Sequence, residues 1–262
     1  MSNKKDSLGD RMKTYENVPK HFLMRRTPVV IRIDGRAFHT LTRGFVKPFD
    51  YDFNTAMART ALYLCQKIQG CVMGYTQSDE ISLVLCDYQT LETDAWFGYN
   101  VEKIVSVSAA MATVSFNHNL MTVLNSYEEF LKKHNKLETF FSKKIKALER
   151  AIDLMPTFDS RAFNLSKEEV NNYLIWRQND AIRNSIQAIA QSEFSCKQLQ
   201  GLSCCELIEK LKDEKGINWN EFPIRFQRGT CIFKDNDGKW VIDDSPRFTL
   251  NSDFVNSRIN FD

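Results

Sequence analysis

The N-terminal part of the chain shows two hydrophobic periodicities, one typical of a strand and one of a helix. Residues 28–35 are rich in β-branched side chains and alternate between two faces, which predicts a β-strand that ends in a turn-forming Asp-Gly pair. One face carries Val29, Ile31 and Ile33, and the other carries Val30, Arg32 and Asp34. From Asp50, a residue suited to cap a helix, apolar residues recur at helical spacing until Gly70. We therefore predict an amphipathic helix between these two residues.

A hairpin and a long helix are predicted next. Residues 71–76 and 81–85 are both β-prone, and the four residues between them suit an antiparallel hairpin. This arrangement places the acidic pair Asp79 and Glu80 at the tip of the hairpin. The stretch 94–118 predicts a helix, whose small residues permit close packing against its neighbours.

The remaining pattern predicts further helices and two strand regions. Serine–x–x–glutamate sequences, which are typical of helix starts, begin at Ser126, Ser166 and Ser203. Residues 158–165 resemble a short strand, and residues 230–242 a C-terminal hairpin around an Asn-Asp-Gly turn. The resulting order β-α-ββ-α-β favours an α+β fold, a split βαβ sandwich with an antiparallel sheet packed by helices.

The length of the chain permits one large domain or a core with an appended region. We expect a first domain over residues 1–165, which includes a charged helical segment near 126–153. Residues 166–262 would form a C-terminal region of helices and a hairpin that packs on it. The two ranges could also form one continuous domain.

Composition excludes several classes of protein. Of the 262 residues, 43% are hydrophobic and 12% aromatic, which is enough apolar surface to exclude a mainly disordered chain. The 35 Lys and Arg residues nearly balance 33 Asp and Glu residues, so a polyanion would need a local basic patch and a histone-like protein is excluded. Seven cysteines without metal-ligand spacing indicate reduced thiols. Without a signal-like or membrane-length apolar run, we expect a cytoplasmic protein with no membrane partner.

The strongest candidate chemistry is a set of carboxylates from two remote segments. Asp34 ends the first strand, and in a split βαβ fold this strand lies beside the hairpin that carries Asp79 and Glu80. Oxygen ligands of this kind suit Mg²⁺, and two such ions about 3.5–4 Å apart commonly assist phosphoryl displacement. Asp, Gly and Ser are also ordinary turn residues, so their spacing alone leaves both interpretations open.

Basic and aromatic residues on other segments could bind phosphate or a base, although each alone is more commonly structural or solvated. The basic candidates are Arg32, Arg36, Lys47, Lys103, Arg161 and Arg228. A basic stripe for RNA is conceivable along residues 132–150, but interspersed acids favour a mixed, solvated helix. Trp176 could stack on a base, whereas core packing is the favoured interpretation. The sequence contains no nucleophile-elbow, P-loop or dinucleotide-binding motif.

Several motifs together resemble the tRNA-histidine guanylyltransferase superfamily. The most specific are Arg32–His39 (RIDGRAFH), Phe45–Pro48 (FVKP) and Tyr75–Ser82 (YTQSDEIS). Further stretches in the same order are Ser7–Glu16 (SLGDRMKTYE), Phe158–Arg161 (FDSR), Tyr173–Asp180 (YLIWRQND) and Arg228–Thr230 (RGT). The resemblance covers most of residues 6–234.

The resemblance implies a polymerase- or cyclase-like palm that adds nucleotides to the 5′ end of tRNA, in the 3′–5′ direction. Asp34, the Gly35 carbonyl and Asp79 would hold two Mg²⁺ ions, with Glu80 in support. The implied triphosphate-binding residues, for ATP, GTP or other nucleoside triphosphates, are Asp34, Gly35, Arg36, Ala37, Phe38, His39, Lys47, Ser78, Asp79 and Lys103. Those implied to contact a triphosphate or the RNA end are Arg32, Arg161, Asn184 and Arg228. The family also implies a homotetramer, a dimer of dimers, and no DNA partner.

Departures from the family pattern affect which reaction is expected. Members that guanylylate histidine tRNA carry His-Ile-Asn-Asn-Leu-Tyr-Asn after the Trp-Arg-Gln-x-Asp stretch, whereas residues 181–187 read AIRNSIQ, with only Asn184 retained. A position that is often basic in the family is Asn100 here. Compared with the shorter members of the family, the charged helical segment near 126–153 resembles an insertion into the catalytic palm. These changes resemble the guanylyltransferase-like branch, whose members repair 5′-truncated tRNA by templated addition.

Templated repair is therefore the leading hypothesis from the sequence. The alternative within the family is addition of a single G to the 5′ end of histidine tRNA. Two further alternatives are a palm-type enzyme that cyclises or condenses nucleotides without RNA, and an RNA-binding protein that has lost catalysis. The intact carboxylates Asp34, Asp79 and Glu80 argue against the last one.

Overall fold

One antiparallel sheet organises the part of the chain that the structure describes. The computed structural model describes residues 7–134 and 139–261. Its strands are β1 (Val29–Gly35), β2 (Cys71–Gln77), β3 (Glu80–Leu85), β4 (Phe158–Asn164), β5 (Thr230–Lys234) and β6 (Trp240–Asp244). They are ordered β4-β1-β3-β2-β5-β6, with β1 between β4 and the β2–β3 hairpin. The predicted split βαβ arrangement is confirmed, and it is the palm-like fold that the resemblance implied.

Helices cover the sheet and extend from it. They are α1 (Ser7–Asn17), α2 (Phe38–Leu41), α3 (Tyr51–Lys67), α4 (Val101–His134), α5 (Thr139–Asp153), α6 (Lys167–Glu193), α7 (Cys196–Leu199), α8 (Cys204–Lys215), α9 (Ile224–Arg228) and α10 (Ser252–Ile259). Short 3₁₀ turns lie at Trp96–Tyr99 and Trp219–Glu221. Among the described residues, no helix combines the length and apolar character that crossing a membrane requires.

The alternation of β1 places its two faces in two different cores. Val29, Ile31 and Ile33 are fully buried against α3 and α4, in the core that also contains Leu64 of α3 and Phe116 of α4. The opposite face, beginning with the buried Val30, packs with residues of α6 and α10. The same face continues to Arg32 and Asp34, so α6 lies on the side of the sheet that carries the predicted polar residues.

Several local predictions are confirmed. The Asp50 carboxylate accepts the backbone N–H groups of Asp52 and Phe53, at 2.9 and 3.1 Å, and α3 begins directly after it. Ser203 and Glu206 form a reciprocal capping box at the start of α8. The C-terminal hairpin is also present, and its strand β5 pairs with β2. Residues from the 1–165 and 166–262 ranges therefore share one sheet.

The predicted boundaries of the long helix are wrong at both ends. Phe97 and Gly98 have positive φ values of 51° and 59°, which break the helix before Asn100, and the Asn100 carboxamide oxygen accepts the Lys103 N–H at 3.0 Å. At the other end α4 continues through Ser126 without a break. Instead of capping a new helix, the Ser126 hydroxyl donates to the carbonyl of Val123. Hydrogen bonding within the helix thus replaces the predicted cap.

The charged segment 126–153 packs more closely than a solvated helix would. Lys144 of α5 forms an ion pair with Asp52 of α3, and its side chain is only 12% exposed. Arg150 donates to the backbone carbonyls of Thr40 and Arg43. Both cations are engaged inside the chain, which contradicts a continuous RNA-binding stripe and also a fully solvated helix. Lys136 and Glu138 of the predicted pattern lie outside the described residues.

Candidate active site

The end of β1 and the tip of the β2–β3 hairpin meet. Asp34 is paired in register with Glu80, and the Gly35 N–H donates to the backbone carbonyl of Asp79 at 3.0 Å. The charge of Asp34 acts directly on Asp79 and raises its pKa. The predicted convergence of carboxylates from two remote segments is therefore confirmed as geometry. It arises because β1 ends at the level where the hairpin turns.

Asp79 occupies a partly buried, polar position in the turn. Burial is the largest influence and raises the pKa of Asp79, with a smaller increase from the charge of Asp34. Hydrogen bonding to its own backbone N–H and to the Ser78 hydroxyl lowers it, as does the nearby His39. Ser78 has a left-handed φ of 49°, which forms the tight turn. Ser78 and His39, both predicted to bind a triphosphate, thus lie beside Asp79.

Glu80 differs from the prediction that both acids lie at the hairpin tip. It is the first residue of β3, is only 6% exposed, and accepts a hydrogen bond from the Arg177 Nε at 2.8 Å. Burial raises the pKa of Glu80, and the charge of Arg177 opposes that increase. Arg177 also donates to Asp180 at 2.9 Å. The negative charge of Glu80 is therefore balanced by an arginine from α6, which the sequence analysis missed in this role.

The segment after β1 makes a tight turn before α2. An added Cβ at Gly35 would lie 2.5 Å from the ring of Phe38, so only glycine fits there while Phe38 keeps its buried position. Ala37 is left-handed, with a φ of 58°, and the Arg36 N–H donates to the Thr157 carbonyl at 2.9 Å. Phe38 anchors the turn in the core, and the side chains of Arg36, Ala37 and His39 are exposed.

A cleft of about 230 Å³ lies beside the carboxylates. It is formed by the loop before α3, the hairpin tip, α6 and α9, and it includes the predicted residues Lys47, Ser78 and Asn184. Aromatic side chains of Phe45, Phe49 and Phe226 also line it. Arg225 of α9 contributes a cation that the sequence analysis did not single out. The arrangement combines an apolar surface with polar groups next to Asp79, as small-molecule sites commonly do.

Lys103 lies on α4, which packs on the face of the sheet opposite to the one that carries Asp34. The Ser108 hydroxyl of α4 hydrogen-bonds with the Ser160 hydroxyl of β4 at 2.8 Å, and later residues of α4 contact earlier residues of β4. The helix therefore runs parallel to β1. Lys103 precedes Ser108 by about 7.5 Å of helix and lies toward the start of β1, whereas Asp34 is at its end. Its ammonium lies 5.8 Å from the centre of the Phe97 ring.

The other predicted arginines divide into two groups. Arg32 and Arg161 are opposite each other on β1 and β4, and the side chain of Arg161 is 55% exposed. Arg228 is engaged elsewhere, because its Nε donates to the Ser245 carbonyl at 2.9 Å. Burial lowers the pKa of Arg228, and the nearby Arg247 lowers it further. Arg32 and Arg161 therefore form a cationic pair near the carboxylates, whereas the guanidinium of Arg228 is committed to a structural contact.

The donor chemistry fits the implied Mg²⁺. Asp34, Asp79 and the Gly35 carbonyl present only oxygen ligands, and the two carboxylates repel each other, which a divalent cation would relieve. Among the described residues, no three His, Cys, Asp or Glu side chains converge as a metal cluster. Such an ion would take its remaining ligands from the backbone, water or substrate phosphate, as Mg²⁺ usually does. Glu80 is less suited to direct ligation because Arg177 engages it.

Comparison with known proteins places this geometry in a family. A model of the tRNAHis guanylyltransferase family matches residues 9–166. A probable tRNA(His) guanylyltransferase of Dictyostelium discoideum is 27% identical over 225 residues, covering 81% of this chain and 77% of the relative. An uncharacterized protein, R259, of Acanthamoeba polyphaga mimivirus is 28% identical over 239 residues, covering 87% of this chain and 77% of the relative.

Solved structures show the same likeness over nearly the whole chain. A bacterial tRNA(His) guanylyltransferase (Thg1)-like protein in complex with ATP has a TM-score of 0.82 and 40% identity, covering 98% of this chain and 100% of that one. A bacterial Thg1-like protein in complex with GTP has a TM-score of 0.72 and 35% identity, covering 97% and 100%. The names of the curated relatives support single-G addition more closely than templated repair. Since the family model spans more than half of the chain, this protein belongs to the tRNAHis guanylyltransferase family of nucleotidyltransferases.

Proposed function

We propose that this chain transfers a nucleotide to the 5′ end of a tRNA, with addition of one G as the reaction that its relatives' names support best. The observation that carries the proposal is the meeting of Asp34 and Asp79 beside a cleft suited to a nucleoside. Phosphoryl transfer depends mainly on alignment and on neutralising phosphate charge. A carboxylate pair flanked by cations can supply both.

Different residues of the chain would bind the metal ion and orient the triphosphate. When bound, Mg²⁺ on Asp34, Asp79 and the Gly35 carbonyl would neutralise phosphate charge. His39 and Ser78, beside Asp79, would orient triphosphate oxygens of ATP or GTP. The backbone from Asp34 to His39 makes a tight turn beside these two carboxylates, so it would border the triphosphate.

The aromatic cleft is proposed to hold the base of the nucleotide. Phe45, Phe49 and Phe226 offer flat apolar surfaces, while Lys47 and Asn184 supply polar contacts at its edge. ATP and GTP are the ligands named for bacterial Thg1-like structures, and both have a purine of suitable shape.

The proposed reaction has two transfers. In the first, the 5′-phosphate of tRNA attacks the α-phosphate of ATP, and pyrophosphate leaves. In the second, the 3′-hydroxyl of the incoming nucleotide attacks the activated 5′-phosphate, and AMP leaves. Both displacements require the reacting groups to be aligned at one point, which the Asp34–Asp79 pair would define.

Templated repair of truncated tRNA is a second candidate function. The observation that favours it is the divergent 181–187 segment, of which Ala181, Asn184 and Ser185 line the cleft. Replacement of family residues along this wall would alter how the incoming nucleotide is held, and therefore how its addition is matched to the RNA. The two candidates therefore share the chemistry and differ in the tRNA substrate.

The test offers 5′-monophosphorylated tRNA, either intact or lacking its first nucleotide, with each of the four nucleoside triphosphates separately and ATP for activation. Preferential addition of G to intact histidine tRNA would support guanylyl transfer, and template-matched addition to the truncated tRNA would support repair. No nucleotide addition to either RNA would refute the proposed function.

A matched pair of variants assigns the chemistry to the carboxylates. Asp79→Asn should lower the transfer rate by at least about 100-fold, because it removes one negative ligand from the site. Affinity for tRNA should change little, since phosphate contacts elsewhere supply most of it. Asp237→Asn, at the exposed tip of the β5–β6 hairpin, is the control and should leave the rate unchanged. An Asp79→Asn variant that transfers at the wild-type rate would contradict the assignment.

A further inference from the structure

Trp176 is exposed on α6, contrary to the core packing favoured by the sequence analysis. Trp176 is 54% exposed, whereas Trp96 and Trp219 are only 8% and 6% exposed. A tryptophan loses favourable burial when it stays in water, so an exposed one beside a candidate active site suggests a binding role.

The ring is held by neighbours that are themselves fixed. The guanidinium of Arg177 lies 4.4 Å from the ring centre, and Arg177 is anchored by Glu80 and Asp180. The ring of Tyr173 packs against it edge-on, with 6.0 Å between centres. Trp176 is therefore a partly rigid aromatic surface rather than a freely rotating side chain, which lowers the entropy cost of binding.

Cations border this surface on the side of the carboxylates. The Arg32 guanidinium is 5.9 Å from the Trp176 ring centre, and its Nε is buried without a hydrogen-bond partner. Arg161 lies opposite Arg32 on β4, is 55% exposed, and forms a solvent-exposed ion pair with Asp159 at 3.6 Å. Arg32 precedes Asp34 by two residues on the same strand face, which is about 7 Å. The candidate residues for base stacking (Trp176), phosphate binding (Arg32) and catalysis (Asp34) therefore lie in one row.

Trp176, Arg32 and Arg161 form a surface that we call the Trp176 patch, and this patch and the cleft lie on opposite sides of the carboxylates. The Trp176 patch adjoins β1 and β4, whereas the cleft is lined by the end of β2 and by residues 181–188 of α6. Residues 181–188 follow Trp176 by about 8–18 Å along the helix axis. A nucleotide in the cleft and a base on Trp176 would thus place Asp34 and Asp79 between them.

We infer that Trp176 stacks on the 5′-terminal base of the tRNA, while Arg32 and Arg161 bind phosphates next to that base. Recognition of RNA ends commonly uses an aromatic ring for the base and guanidinium groups for the backbone. A free nucleoside triphosphate is the less suitable occupant, because the aromatic cleft already serves a nucleoside on the other side. The inference rests on the proposed function, since it names where the RNA acceptor of the transfer lies.

The experiment measures binding directly, so it does not depend on turnover. Trp176→Ala should weaken binding of 5′-monophosphorylated tRNA by about 5- to 150-fold, the range for loss of one stacked base. Binding of ATP and GTP alone should stay within about twofold. Trp176→Phe, which keeps a ring, should retain most of the affinity. Tyr63→Ala, which truncates a 38% exposed aromatic on α3, is the matched control and should bind tRNA as the wild type does.

A spectroscopic readout separates stacking from a structural effect. In tRNA with 2-aminopurine as its 5′-terminal base, wild-type protein at saturation should quench the fluorescence, and Trp176→Ala at saturation should not. Arg161→Gln should weaken tRNA binding and reduce the salt slope by about one unit, as loss of one phosphate contact does.

Different results identify which idea has failed. Wild-type affinity and quenching in Trp176→Ala would overturn the inference, even if nucleotide transfer is observed. Loss of ATP or GTP binding with unchanged tRNA binding would also overturn it, because the ring would then serve the free nucleotide. Absence of nucleotide transfer by the wild-type protein would refute the proposed function. The tRNA affinity of Trp176→Ala would still decide whether the ring binds RNA.

Discussion

The buried ion pair between Arg177 and Glu80 allows a quantitative test of how α6 is joined to the candidate site. Both side chains are 8% exposed, and their closest atoms are 2.8 Å apart. Replacing Arg177 by Met would leave the Glu80 carboxylate buried without its cation. Removing one partner of such a pair typically lowers the free energy of unfolding by about 3–5 kcal/mol. For a chain of this size, that corresponds to a decrease of roughly 6–20 °C in Tm.

The effect should depend on pH in a defined direction. Burial raises the pKa of Glu80 in the folded protein, and loss of Arg177 removes a charge that opposes this increase. A carboxyl whose folded pKa exceeds its unfolded pKa stabilises the protein when protonated, and that contribution disappears as pH rises through the folded value. The deficit of Arg177→Met should therefore be smallest in mild acid and should grow toward neutral pH.

Urea unfolding of the wild type, Arg177→Met and the double variant Glu80→Gln/Arg177→Met provides the measurement. The double variant should recover part of the lost stability, because it removes the uncompensated charge as well as its partner. The reasoning is refuted if Arg177→Met unfolds within about 1 kcal/mol of wild type. A double variant less stable than the single one would also contradict it.

Three other features can be tested: the cap of α3, the turn after β1 and the basic surface proposed for tRNA. Asp50→Ala should lower the free energy of unfolding by about 1–2 kcal/mol in urea titrations, since its carboxylate caps α3, and a loss below about 0.5 kcal/mol would argue against that role. Gly35→Ala should lower Tm and nucleotide transfer together, because the added Cβ would lie 2.5 Å from the Phe38 ring; an unchanged Tm would show that the turn relaxes freely. Raising salt from 50 to 200 mM should weaken tRNA binding by at least about tenfold in a filter-binding assay, and a flat response would contradict a local basic surface.

Local sequence signals were sufficient to predict the structure of a segment where the chemistry of that segment alone decides it. The alternation in residues 28–35 assigns Ile31 and Arg32 to opposite faces because side chains alternate along any strand. Asp50 caps the following helix because its carboxylate lies within reach of the first backbone N–H groups of that helix. The meeting of Asp34 and Asp79 followed from strand order, which a split βαβ pattern already implies.

Tertiary packing decided the partners and the exposure of the polar side chains. Arg177 contacts Glu80 across 97 residues of sequence, and nothing in either segment alone specifies that pairing. Helical periodicity predicts a helix near Lys103 and Trp176, but not which strand end the lysine approaches or that the tryptophan stays in water. Such outcomes depend on how remote elements dock. The sequence by itself therefore determined the strands, the main helices and the Asp34–Asp79 pair, whereas only the assembled core decided which cation pairs with Glu80 and which cations lie near the carboxylates.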